Sequence, residues 1–348
     1  MTTVLDPVSA LKPLPVEHRA GLDVALGQRP EIEAFAADVV SRGLRNVFLL
    51  GSGGGLLTHE GVQYLLERRA TTFPVFALSA NEFIYRHPAR LGQGSLAVLA
   101  SNTGTTPEVV AAARFAKEHG AVVASVTRKP ESPLAEASDI AWTYLDDKGV
   151  GDPKSFQLAI LGLAMLRASG DMAPDEYSAH IRTLEALPEA LLVACRETES
   201  LNARIAAALK DEPVIYVIGA GPNHGTAYGL AMCYLQEMQW KHAASFDAAE
   251  FLHGAMEVVT AETAVIQYLG EEATRPIDER AQAFLRKYTQ KAFYVDAHDL
   301  TLPGVETAMR PFASHFALDA VMGRLAQHFE AATGHDLQNR RYMFQVEY

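Results

Sequence analysis

The chain is poor in cysteine and in positive charge. Only two cysteines, Cys195 and Cys233, occur in 348 residues, too few for a disulfide framework or a metal cage and without CxxC spacing. Both sit in apolar, helix-like runs and read as buried free thiols. Lysine and arginine number 30 against 42 aspartates and glutamates, a formal net charge of −12. That balance argues against nucleic acid as a partner, because such binding rests on neutralising phosphates. No segment approaches the roughly 20 apolar residues of a membrane-spanning helix, and the first residues lack an apolar core of signal-peptide length. A cytoplasmic protein without a membrane partner is therefore expected.

Catalytic signatures of several common kinds are missing too. His59-Glu60 is not followed by the second histidine of HExxH, the 12 histidines are scattered, and no GxSxG elbow occurs, so no metal site and no serine nucleophile is expected. GSGGG (51–55) breaks the GxGxxG pattern at Leu56, and GAGPNHG (219–225) breaks it at His224. A dinucleotide cofactor is thereby disfavoured, and none is expected. These glycines read instead as places where the backbone approaches a sugar closely.

What is present is an alternation of buried-strand and helix patterns. Hydrophobic residues make up 49% of the chain, enough for two domains, each with its own core. Short apolar runs at 46–50, 73–79, 95–100, 121–126 and 140–145 read as parallel strands, separated by helical stretches such as PEVVAAARFAKEHG. The pattern restarts with runs at 214–219, 263–269 and 291–297, and Gly219 follows Gly51 by 168 residues (219 − 51). Residues 152–210 are Ala- and Leu-rich with helical periodicity and are expected to be connecting helices. The reading is α/β: two doubly wound, parallel-sheet domains in tandem, each a three-layer α/β/α sandwich. An N-terminal arm is placed at 1–25, a first domain with its connecting helices at 26–190, and a second domain with a C-terminal tail at 191–348.

Two places carry chemistry. SNTGTTPE (101–108) joins the strand SLAVLA to a helix start. Backbone amides and hydroxyls collect there, at the positive end of a helix. Thr106 is placed as N-cap, Pro107 as the first helical residue, and Gly104 as a turn position. Ser101, Asn102, Thr103 and Thr106 would then surround a phosphate, which the overall negative charge does not forbid, since amides act at contact distance. In the second half, Glu237 lies on an apolar helix, where desolvation favours its protonated form and suits acid–base work. His253 precedes Gly254, and an imidazole is the side-chain type suited to proton exchange near neutral pH. From the residues alone, a structurally paired glutamate and a turn-capping histidine account for these two equally well. Glu250 reads as structural, and the Arg340–Arg341 pair reads as surface salt bridges ahead of a site for a substrate carboxylate.

Taken together, ANEFIYRHPARLG, SNTGTTPE, the block from GAGPNHGTAYGLAMCYLQEMQW to EFLHGAMEVV, and the terminal GHDLQNRRYMFQVEY resemble the SIS (sugar isomerase) family in its double-domain form. Within it the chain is most similar to the fructosamine 6-phosphate deglycases. The resemblance covers residues from about 40 onward. It implies that Ser101, Asn102, Thr103 and Thr106 bind a sugar phosphate, with Ser52 adding a hydroxyl and Gly51, Gly53 and Gln345 near the substrate. It also implies that Glu237 is the base and His253 the acid of a cofactor-free hydrolysis, in a homodimer where His253 serves the neighbouring subunit. An amino-sugar phosphate isomerase or deaminase, or a sugar-phosphate sensor, are the alternatives. Two positions depart from the family pattern: Gly55 stands where relatives often carry serine, and Gln345 where they often carry lysine.

Overall fold

The apolar runs become the strands of two parallel sheets. The computed structural model describes residues 10–145, 148–343 and 345–347; the first nine residues of the expected arm lie outside them. Contacts divide the chain into two units, one of residues 15–188 with 304–309, the other of 189–303 with the chain from 310 onward and the described residues before 15. The division falls at Pro188, inside the helix Pro174–Glu197.

In the first unit, β1 (Asn46–Gly51), β2 (Val75–Ser79), β3 (Ser95–Ser101), β4 (Val122–Thr127) and β5 (Ile140–Thr143) form one sheet. Their order is β2-β1-β3-β4-β5 and every pairing is parallel. β1 and β3 are buried along their whole length, whereas the edge strand β2 is half-buried. That contrast is what helices on both faces produce. On one face Phe48, Leu50, Ala97 and Leu99 pack with Phe83, Val109, Ala113 and Ala116. Full burial of each phenylalanine, leucine or valine among these is worth roughly 1.5–3 kcal/mol.

The second unit contains β6 (Ile215–Gly219), β7 (Ala243–Asp247), β8 (Ala264–Leu269) and β9 (Ala292–Asp296), again parallel, in the order β7-β6-β8-β9. Ile218 and Val265 pack with Phe251, Ala281 and Leu285. All eight strands expected from sequence are present within two residues at each end, and the connecting helices are Pro153–Ser169, Pro174–Glu197 and Glu199–Leu209. β7 was not expected. Its sequence, AASFD, holds one strong strand former, and it is half-buried at the sheet edge; pairing with β6 makes it a strand.

The 168-residue offset extends well beyond the strand ends. A Cβ on Gly51 would lie 2.5 Å from the carbonyl carbon of Gly55, and one on Gly219 would lie 2.3 Å from the carbonyl oxygen of Asn223. Each strand therefore folds directly back against the next helix start, and only glycine permits it. Two residues on, Gly53 (φ 53°, ψ −125°) and Gly221 (φ 56°, ψ −134°) cap those helices in nearly the same conformation. Ser79 and Asp247, at the ends of β2 and β7, each accept a backbone N–H of the following helix. Thr106 and Thr274 are the N-caps after β3 and β8.

Gly55 has a packing reason of its own: a Cβ there would sit 2.3 Å from the Ala100 carbonyl oxygen at the end of β3. The glycine keeps the turn against β3, so it is not merely a phosphate hydroxyl lost. Gly55→Ser is expected to destabilise the protein by about 1–3 kcal/mol without tightening phosphate binding; an unchanged denaturation midpoint would refute this. In the second unit Asp278 is fully buried. Burial, followed by the nearby Glu272 carboxylate, pushes its pKa up to about 8. A raised carboxyl pKa means the folded state holds a proton that the unfolded state releases. The associated stability is full below about pH 4 and is lost as pH rises through about 8. Asp278→Asn should flatten that decline, seen as a smaller drop in melting temperature between pH 5 and pH 8 (chosen as about the span of the titration) than in the parent protein.

Candidate active site

In the first sheet the connections run from β1 to β2 on one side and onward to β3 on the other, so the strand order reverses between β1 and β3. Ligands of doubly wound sheets bind beyond the strand carboxyl ends at such a point. The two loops that emerge there are 51–55, read from sequence as a close backbone approach, and 101–106, read as the anion loop.

In the second of these loops Ser101 is 4% exposed. Its Oγ lies 3.0 Å from Thr106 Oγ1 and accepts the Gly104 N–H at 3.2 Å. Gly104 has φ +67°, in the left-handed region as expected, and its carbonyl accepts the Leu134 N–H. Pro107 opens the helix Pro107–Glu118. Thr106 occupies the N-cap position, but its side chain caps nothing; the hydroxyl is engaged with Ser101 instead, which corrects the expected capping bond. Thr103 and Asn102 are exposed. Thr103 Oγ1 lies 2.7 Å from Thr105 Oγ1, and Asn102 Oδ1 accepts the hydroxyl of Tyr144. In the first loop Ser52 is half-buried. Gly53 is exposed with open space around it, whereas Gly51 packs against its own turn. Of these glycines, then, Gly53 is the one that leaves backbone open to a ligand.

The corresponding loop of the second unit, 269–274, is built differently. Glu271 is paired with Arg310 at 3.0 Å, and buried Glu272 accepts from Asn223 at 2.9 Å and from Ser314 at 2.8 Å. Two carboxylates stand where the first unit carries Thr103 and Gly104, and they would repel a phosphate.

Glu237 follows a π-helical turn, Gly229–Gln236, and its N–H donates to Met232 five residues back. Such turns are frequent at functional sites. Its carboxylate is 22% exposed and lies 2.9 Å from Arg340 Nε, whose side chain is 14% exposed. Burial raises the Glu237 pKa and the Arg340 guanidinium opposes the rise. The expectation of an exposed salt bridge for the arginine pair is thus corrected: Arg340 is sequestered against Glu237, and Arg341 lies 4.4 Å from the centre of the Trp240 ring. Gln239 donates to the His335 carbonyl at 2.6 Å and accepts from Thr333 at 2.7 Å. The EMQW run therefore docks the segment 333–341. Nothing local in sequence signals this contact, which joins residues about a hundred positions apart.

His253 is exposed, in the turn after the helix Ala248–Phe251, and its N–H donates to the Glu250 carbonyl at 2.9 Å. Among the described residues its ring makes no hydrogen bond or ion pair, with Glu237 or otherwise. Glu250 and Gln345 are exposed. Cys195 and Cys233 are free and buried, as expected.

Known proteins share this fold and much of its sequence. A family profile described as the SIS domain matches residues 43–161. The fructosamine deglycase FrlB of Bacillus subtilis is 32% identical over 323 residues, 91% of this chain and 97% of that protein. The fructoselysine 6-phosphate deglycase of Escherichia coli K12 is 24% identical, over 90% of this chain and 89% of its own. A Bacillus subtilis crystal structure described as a candidate phosphosugar isomerase superposes with a TM-score of 0.88 at 30% identity, covering 94% of this chain and all of that one. No helix among the described residues is long and apolar enough to cross a membrane. With tandem parallel sheets, a hydroxyl-lined loop at a strand switch point and relatives matched along nearly its whole length, the chain belongs to the double SIS-domain family of sugar-phosphate enzymes, alongside the fructosamine deglycases.

Proposed function

We propose that the protein is a fructosamine 6-phosphate deglycase, which cleaves an amino-acid Amadori product to glucose 6-phosphate and the free amine. The observation that carries the reading is Glu237: a half-buried carboxylate on a π-turn, held by one arginine, in a chain 32% identical over most of its length to a deglycase. The phosphate is anchored by Ser101, Asn102, Thr103 and Thr106, with Ser52 contributing from the adjacent turn. Gly51, Gly53 and Gln345 complete the proposed substrate contacts.

Glu237 removes a proton from C1 of the open-chain 1-amino-1-deoxyfructose 6-phosphate, and the C1–H electrons form a C1=C2 enaminol. Return of a proton to C2 leaves a C1=N imine. Water adds at C1, and the C–N bond breaks to give glucose 6-phosphate and the amine. His253 carries protons to and from oxygen. Its exposed ring, without a hydrogen bond or ion pair among the described residues, suits service to a second copy of the chain, so a homodimer forms part of the proposal. The reaction and its soluble substrates suit a cytoplasmic setting. An assay with fructoselysine 6-phosphate and glucosamine 6-phosphate in parallel tests the reading. Release of glucose 6-phosphate from the first supports it, and release of fructose 6-phosphate and ammonia from the second alone refutes it.

Glu237→Gln is expected to lower kcat at least about 100-fold with an unchanged circular dichroism spectrum; near-normal turnover would remove Glu237 from the mechanism. The base must be deprotonated to act, and the Arg340 guanidinium opposes the burial-driven rise of its pKa. Arg340→Met should therefore move the acid limb of the pH–rate profile to higher pH. A limb that stays in place or moves to lower pH would contradict the assignment.

A further inference from the structure

Trp240 occupies a backbone position that ordinarily belongs to glycine. The helical run that carries Glu237 ends there: Trp240 has φ +54°, and the Lys241 N–H after it closes back onto the Leu235 carbonyl at 2.8 Å. Helices that end on a left-handed residue usually place glycine at it, and a bulky side chain is disfavoured in that conformation. The indole must supply something that glycine would not. Its N–H is buried with no acceptor among the described residues, so the ring is held through its faces and edges. His335 meets it at 4.4 Å between ring centres and 71° between planes, and the Arg341 guanidinium lies 4.4 Å from its centre, a cation–π contact.

Arg340, next in the chain to Arg341, is fixed by its own segment more than by the carboxylate it faces. Its Nη1 donates to the Leu337 carbonyl at 2.7 Å and to the Asn339 carbonyl at 2.9 Å. Its Nε lies 2.9 Å from Glu237 Oε1 but has no aligned hydrogen-bond acceptor. The place of the guanidinium therefore follows the docking of residues 333–341. Ahead of Arg340 the segment is tied to Gln239 and to Glu330, in the last turn of the helix Arg310–Thr333, whose carboxylate accepts the Leu337 N–H at 3.0 Å. Beyond Arg341 the hydrogen bonds of the described residues stay within the segment, from the Gln345 and Val346 N–H groups to the Tyr342 carbonyl. Arg341 itself is exposed and forms no hydrogen bond or ion pair among the described residues; its contact is the Trp240 ring.

We propose that Trp240 and Arg341 are positioning residues for the proposed base, a clasp that keeps the 333–341 segment docked and so keeps the Arg340 guanidinium beside Glu237. This rests on the reading of Glu237 as the base. Among the described residues Arg340 is the charged group that acts on Glu237. Tyr228 and Cys233, on the helical turns before it, stay protonated because burial raises the pKa of both. With the clasp open, the burial-driven rise of the Glu237 pKa goes unopposed, and the carboxylate takes up a proton at a pH where it should act as a base.

The test follows the acid limb of kcat/KM for fructoselysine 6-phosphate in the full-length protein and its variants. Trp240→Gly suits the left-handed backbone while removing the side chain, and Arg341→Gln, at an exposed position, serves where Trp240→Gly does not fold. Both are expected to move the limb to higher pH, as Arg340→Met does, with a loss that is greatest at the acid end and recovered at high pH, a pattern that general destabilisation does not give. In an Arg340→Met background neither should move the limb further, because the clasp acts through Arg340. Fluorotryptophan labelling adds a readout independent of turnover, since the chain has two tryptophans and the fully buried Trp142 serves as reference. Arg341→Gln should shift the fluorine resonance of Trp240, identified by its absence in Trp240→Gly, and leave that of Trp142 in place. An unmoved Trp240 resonance overturns the clasp. An unmoved limb in both variants, with Arg340→Met shifted, overturns the positioning role and leaves Glu237 and Arg340 as assigned. A limb that stays in place in Arg340→Met as well overturns the reading of Glu237 on which the proposal rests.

Discussion

The candidate site depends on how closely two backbones meet at the carboxyl end of the first sheet. The turn after β1 folds back on itself at Gly51 and touches the end of β3 at Gly55, where any Cβ would collide with a main-chain atom. That contact sets the 51–55 turn beside the 101–106 loop at the point where strand order reverses. The amides at the start of Pro107–Glu118 then have hydroxyls gathered around them, with Ser101 and Thr106 paired to each other. The proposed anion recognition here would be a property of backbone placement first and of side chains second.

The second unit repeats the scaffold but not the chemistry. Gly219, Gly221, Asp247 and Thr274 take up the structural duties of Gly51, Gly53, Ser79 and Thr106. Its loop after β8, however, is filled by Glu271 and Glu272, which are satisfied by Arg310, Asn223 and Ser314. A buried carboxylate in such a position needs those partners, since an unpaired one costs several kcal/mol. The same geometry thus carries the proposed ligand loop in one unit and an internally bonded joint in the other.

Glu237 is governed by two opposing influences. Burial, the larger influence, favours the neutral acid, and Arg340 favours the carboxylate. The segment that carries Arg340 is itself docked through Gln239 and Trp240. A stretch of sequence that reads as a tail therefore bears on the protonation of the residue proposed as the base, opposing the rise that burial produces.

Local physics made much of this legible in advance. Apolar runs bounded by glycine located eight of the nine strands, because a strand buried on both faces must be continuously apolar. Thr106-Pro107 marked a helix start, and Gly104 a left-handed turn, since both preferences are intrinsic to those residues. The edge strand β7 escaped because its five residues become a strand only through pairing with β6. Gly55 looked like a missing hydroxyl until Ala100 was found against it. Which polar groups meet was decided by tertiary structure alone: Arg340 with Glu237, and Tyr144 with Asn102. Such contacts join residues far apart in the chain, and their strength comes from burial, which no local pattern encodes.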